Sequence, residues 1–281
     1  MNHLKNSLSI PHFLRFCIAI AFAVMTPVLP AAPVEIINPS FEQPTVIQDD
    51  GFRTVPSLIT GWAIELSTGT VGVWNILPGR FYNVTAPVGS QIAFIGGSDR
   101  GSGAAISQVL AATLQASTVY TLSGLVGHPL GLGASNSTLF TAELFAGSTL
   151  LASTTGVGGD GSFLPFSFRF DSTGSFLTDQ PLKIRLSSNK PQVGFDNIQL
   201  DASPAAILFA INVRPNVARG GTVSGGQSYE EGSMATVRAR SKRGYRFVNW
   251  TEGRRVVKTR PTFTFLVTRD RSLKANFRRN P

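Results

Sequence analysis

A chain of 281 residues that is 42% hydrophobic and only 15% charged carries enough apolar material for one or two folded cores. Its single cysteine, Cys17, lies in the opening segment, which excludes an intrachain disulfide, and leaves neither a thiolate nucleophile nor a cysteine-held zinc site beyond it. The net charge of +9 is unevenly placed: residues 211–281 hold sixteen Lys/Arg and four Asp/Glu, or +12, whereas the rest holds nine and twelve, or −3.

Residues 1–32 read as an export signal, with Lys5 and Arg15 ahead of an apolar run from Phe16 to Met25 and small residues Ala31-Ala32 after it. The run is short for a membrane span, so a secreted or cell-surface protein with no transmembrane segment in its mature part is expected. From residue 33 to 202, short alternating runs such as "QIAFIG", "TVYTLSGLV", "FSFRF" and "LKIRL" recur between Gly, Pro, Asn and Ser, the spacing of an all-β antiparallel sandwich. The pleat puts Phe166, Phe168 and Phe170 on one face, and Leu182, Ile184 and Leu186 on another inward face. Residues 203–210 are expected to link to a second unit, 211–281. There "TVRAR", "TFTFLV" and "SLKANFR" alternate in the same way, with Val237, Ala239, Phe263, Phe265, Leu273 and Phe277 inward.

Four stretches of the first unit resemble the jelly-roll carbohydrate-binding modules: "INPSFEQP" (37–44), "GWAIE" (61–65), "ISQVLAATLQASTVYTLSGLV" (106–126) and "VGFDNIQLDA" (193–202). The resemblance implies an antiparallel jelly-roll β-sandwich and a structural Ca2+ bridging its opening and closing strands, which falls on Glu42 and Asp196. In "FDNIQL" strict alternation puts Asp196 on the face of Ile198 and Leu200. An inward carboxylate needs either a cation or several donors, so a backbone-capped Asp196 stays open beside calcium. The family's aromatic sugar platforms point to Trp74 and Tyr82 with Arg80 and Asn83 beside them, while Trp62 matches its core tryptophan. The second unit resembles bacterial repeats of the internalin B-repeat type, small β-rich modules of surface proteins. Its motifs are "GGTVSGGQSYEEGS" (220–233), "TVRARSKRGYRFVNWTEG" (236–253) and "TFTFLVTRDRSLKANF" (262–277). Arg238, Arg240, Arg246, Arg254, Arg255 and Lys258 form its candidate polyanion-binding set.

Chemistry is harder to find. His128 is the only histidine beyond residue 12, no Gly-x-Ser-x-Gly elbow is present, and Glu42, Glu65 and Glu143 are scattered in sequence. The expectation is therefore no enzyme, but a secreted binding protein: the sandwich recognises a glycan or cell-surface polysaccharide, and the basic module attracts anionic surface polymers. The alternatives are a purely structural spacer and, through charge alone, an extracellular nucleic-acid binder, although no dedicated nucleic-acid partner is expected.

Overall fold

The computed structural model describes residues 31–46, 52–54, 59–66, 69–96, 104–131, 139–188 and 192–281. The expected export signal lies outside them except for Ala31 and Ala32. Among the described residues every regular element is a strand, and no helix is long and apolar enough to cross a membrane. The chain divides into two compact units at Ile207/Leu208.

The first unit contains β1 (Ala32–Val34), β2 (Phe52–Thr54), β3 (Ala63–Leu66), β4 (Thr70–Asn75), β5 (Gln91–Gly96), β6 (Ala104–Thr113) and β7 (Thr118–His128). It continues with β8 (Leu139–Ala146), β9 (Thr149–Val157), β10 (Gly159–Asp160), β11 (Leu164–Asp171), β12 (Pro181–Ser188) and β13 (Val193–Pro204). One sheet runs β10-β7-β13-β5-β4-β2, with β1 added beside β13 and β11 beside β7; the other runs β3-β6-β12-β8-β9. Leu182, Ile184 and Leu186 are fully buried where β12 alternates inward, and Phe166 is buried with Phe168 and Phe170 packed against the same core. Trp62 is a core residue, tilted on Phe41 at 5.3 Å between ring centroids. Burying each such side chain contributes roughly 1.5–3 kcal/mol, so this layer between the sheets dominates the unit's stability.

β5 departs from simple alternation, because all six of its residues are buried. Ala93 and Ile95 face the core between the sheets, while Ile92 and Phe94 face away from it and join Trp74, Ile76, Tyr82 and Ala86 in a second apolar cluster. The chain from Ile76 to Ser90 covers that outer face, so this side of the sheet carries a lined interior of its own.

The second unit contains β14 (Leu208–Pro215), β15 (Gly221–Ser224), β16 (Gln227–Glu230), β17 (Met234–Ser241), β18 (Tyr245–Glu252), β19 (Arg255–Lys258), β20 (Thr262–Leu266) and β21 (Arg271–Arg279). Its sheets are β16-β14-β21-β18-β19 and β15-β17-β20, enclosing Trp250, Leu273, Phe277, Val237 and Phe265. Trp250 has no exposed surface, and its indole N–H donates to the Pro261 carbonyl at 3.1 Å. The expected linker 203–210 is mostly strand. Ser203 and Pro204 still register with Val119 and Thr118 in β7, and Leu208 to Ala210 already register with β16, leaving residues 205–207 between the two units.

Candidate active site

The site is built where β13 breaks its own alternation. Val193 and Phe195 point into the core between the sheets, and so do Ile198 and Leu200, which a regular pleat forbids. The register explains it: Asp196 lies opposite Leu125 but Gln199 lies opposite Ser123, one residue extra on β13, with Asn197 in the left-handed region at φ 50°. Asp196 therefore shares the outer face with Gly194 and not, as strict alternation predicts, the face of Ile198 and Leu200.

Asp196 is fully buried there. The backbone N–H of Val88 donates to its Oδ2 at 2.8 Å and that of Asn197 to its Oδ1 at 2.6 Å. Loss of hydration raises its pKa to about 7; the two N–H donors oppose the shift and the nearby Glu42 charge adds to it. Both backbone capping and a neighbouring carboxylate are thus present.

Glu42 arrives from the opening segment. Its Oε1 accepts from the N–H groups of Ser90 and Gln91 at 3.1 and 2.9 Å, and its Oε2 from the Ser90 hydroxyl at 3.1 Å. The turn below it needs glycine, since a Cβ on Gly89, which sits at φ 70°, would lie 2.4 Å from the Glu42 carboxyl carbon. Asn38 and Phe41, at φ 52° and 59°, are left-handed as well, so three non-glycine residues in this conformation converge on the two carboxylates. The Gln91 side chain fixes the segment further by donating to the Phe41 and Pro44 carbonyls, both at 3.0 Å. As a donor set for Ca2+ the pair fits: two hard oxygen ligands come from the opening and closing segments, with Glu42 close enough for its charge to act on Asp196. Among the described residues no third acidic group joins them, so further ligands would be backbone oxygens or water.

Beside Asp196 lies the aromatic cluster. Tyr82 stacks on Phe163 at 5.3 Å and meets Trp74 edge-on at 5.6 Å, and Trp74 is edge-on to Phe94 at 6.4 Å. Neither Trp74 nor Tyr82 offers an exposed ring, so the sugar platform expected from the sequence is not formed; Arg80 is exposed at the rim, 4.8 Å from the Phe81 centroid. The Tyr82 hydroxyl is buried without a hydrogen-bond partner, and burial raises the phenol's pKa. A Cβ on Gly194 would come within 2.9 Å of that oxygen, which places the hydroxyl on the strand face that carries Asp196. Above them the covering chain exposes Leu77, Phe81, Val84 and Val88, each 36–39% accessible, and Leu130, whose N–H donates to the Phe81 carbonyl, adds to this apolar rim. A burial-perturbed acid, an uncommitted phenol and an apolar approach are the parts of an acid-catalytic site for a nonpolar molecule. His128 is buried nearby, its Nδ1 3.5 Å from Asp160 and 3.2 Å from the Pro129 carbonyl, and among the described residues no serine or cysteine side chain bonds to it.

The basic residues of the second unit do not form one cluster. Arg238 and Arg240 project from the outer face of β15-β17-β20 beside Ser224 and Thr222, Arg254 and Arg255 belong to the β18–β19 turn, and Lys258 lies 5.8 Å from the Phe263 centroid. Only Arg246 lies on the outer face of the larger sheet.

A comparison with curated proteins finds no match. Residues 211–281 match the divergent InlB B-repeat domain, as the resemblance implied. Residues 32–201 match the family model described as HpiC1-like, HpiC1 cyclase. Among solved structures, the Stig cyclase Fisc from Fischerella sp. TAU in complex with (3Z)-3-(1-methyl-2-pyrrolidinylidene)-3H-indole superposes with a TM-score of 0.55 at 27% identity, covering 63% of this chain and 100% of that one. An apo cyclase from Fischerella sp. gives 0.56 at 27% identity, with 63% and 98% covered. A cyclase from Fischerella sp. TAU bound to 4-(1H-indol-3-yl)butan-2-one gives 0.54 at 27%, with 63% and 100% covered. These matches overturn the expectation of a non-catalytic glycan-binding protein: the resemblance identified the β-sandwich but not the chemistry carried on it. Through residues 32–201, the chain belongs to the HpiC1-like cyclase family.

Proposed function

We propose that the first unit is a cyclase acting on an apolar, indole-sized substrate by acid catalysis, with Asp196 as the proton donor. The observation that carries this reading is the fully buried carboxyl of Asp196, raised to about 7 on the face that also holds the Tyr82 hydroxyl. The indole-containing ligands of the Fischerella cyclases support the substrate class, and the apolar rim over the site suits it. Ring closure of this kind conserves atoms. The Asp196 carboxyl gives its proton to a substrate carbon, the cation formed is captured by an electron pair of the same molecule, and the proton then released returns to the carboxylate. The closed apolar cluster around Trp74 and Tyr82 keeps water from trapping the intermediate.

The same carboxylate pair is proposed as the calcium position, held by Glu42 and Asp196. There the ion would supply charge neutralisation and hold Asp196 ionised, so proton and cation compete for one group. The test is turnover of 3-substituted indoles bearing a pendant alkene, followed by chromatography and mass spectrometry. Wild type yields a product of unchanged mass and new retention, with a rate that falls as pH rises through about 7 and falls when calcium is added. Asp196→Asn loses about a hundredfold or more, the usual weight of a general acid. Absence of isomeric product across the panel, or an Asp196→Asn enzyme at wild-type rate, overturns the proposal.

A further inference from the structure

The structure assigns the outer face of β14, β21 and β18 as a docking surface for an acidic polysaccharide. Along β21, Leu273, Ala275 and Phe277 turn into the core, and Lys274, Asn276 and Arg278 turn out. The neighbours place like charges side by side: Arg214 of β14 lies opposite Lys274, and Arg246 of β18 lies opposite Arg278. Directly opposed like charges repel within a sheet, and two such pairs on one face create a positive field with no internal neutralisation. The unit's recorded ion pairs lie elsewhere: Glu252 engages Arg269 and Arg271 at 3.0 and 2.8 Å, and among the described residues no acid is paired with these four cations.

Between the two cationic pairs sits a polar centre. The Asn276 amide donates to the Asn249 carbonyl oxygen at 2.7 Å and to the Thr251 hydroxyl at 3.2 Å, which leaves the Asn249 N–H groups and the Asn276 carbonyl oxygen uncommitted. Lys274 and Arg278 are four residues apart, about 13 Å along the strand, so the face spans a few sugar rings of an extended polymer. Its chemistry selects among polyanions. A phosphodiester backbone presents acceptors to a protein, whereas sugar hydroxyls both donate and accept and so use the amide oxygen as well as the amide hydrogens. The aromatic side chains of this sheet, Phe209, Tyr229, Tyr245, Phe247, Trp250 and Phe277, pack in or against the core, so none is turned to the outer face for base stacking.

The experiment measures binding of the full chain to heparin, a sulfated and uronate-bearing polysaccharide, across a salt series. Wild-type affinity is expected to fall with log salt at a slope near 3 from about four released counterions. Arg246→Gln with Arg278→Gln weakens binding about tenfold or more and shallows the slope, without lowering the melting temperature, because it removes a repulsion. Arg238→Gln with Arg240→Gln, on the other sheet, leaves binding unchanged. The assignment is overturned by salt-insensitive or absent heparin binding, by equal losses from both double variants, or by duplex DNA of matched charge competing as well as heparin does.

Discussion

Asp196→Asn tests the chemistry of the site through stability alone. In the unfolded chain this carboxyl titrates near 3.8 and in the fold near 7, so the folded state holds the proton more tightly between those values. The stability that Asp196 contributes is therefore largest below pH 4 and falls as pH rises to about 7, by roughly 4 kcal/mol at about 1.4 kcal/mol per pH unit. The amide variant has no such dependence, but it carries a defect of its own. Both Asp196 oxygens accept backbone N–H groups, from Val88 and Asn197, and an amide nitrogen cannot accept either, which leaves one donor unsatisfied at about 1–3 kcal/mol. The two effects oppose each other, so the variant is the less stable protein at pH 4 and the more stable one at pH 7.5, with the curves crossing near pH 5–6. Urea unfolding of the full chain in chelator, over that pH range, measures both curves. A wild-type curve flat from pH 4.5 to 7.5, or a variant weaker by the same amount throughout, refutes the buried acid. Added calcium should flatten the wild-type curve by holding the carboxylate ionised, and an unchanged slope removes calcium from Glu42 and Asp196.

Two further substitutions separate folding from function. Tyr82→Phe deletes a buried hydroxyl that has no hydrogen-bond partner, so the melting temperature should hold or rise while cyclisation slows, and a clear loss of stability shows the hydroxyl to be structural. Trp250→Ala empties the centre of the second core at about 3–5 kcal/mol, more than a unit of about seventy residues can spare. Limited proteolysis should then degrade the repeat and leave a resistant fragment containing the first unit, and equal digestion of both units contradicts their separate cores.

The all-β architecture was legible because the residues that alternate in the sequence also alternate in space. Leu182, Ile184 and Leu186 are inward in β12, and Val237 and Ala239 in β17 and Leu273 and Phe277 in β21 are inward in the repeat, on strands whose own alternation is unbroken. The same rule failed at Asp196, because the extra residue at Asn197 leaves no mark in the hydrophobic pattern and reverses which face the acid takes. Trp74 and Tyr82 were found as an aromatic pair in a loop-rich stretch, but a sequence cannot show that the loop folds back and buries them. The enzymatic reading was missed for a related reason. Acids close in sequence and nucleophile motifs are the local marks of catalysis, whereas this site needs one carboxyl whose reactivity comes from its surroundings. Those surroundings are assembled from residues near 42, 82, 88 and 194, which no local spacing connects.

The extra residue in β13 also puts position 196 under a different constraint from positions 198 and 200. Phe195, Ile198 and Leu200 are bound to the packing of the sandwich, so their replacement is judged by folding. Position 196 is outside that set, and its replacement is judged by what the site must do. An amide, a base or a metal ligand can stand there with the core intact, whereas deletion of Asn197 would restore plain alternation from Phe195 to Leu200 with Asp196 still facing out, and would remove the N–H that its Oδ1 accepts.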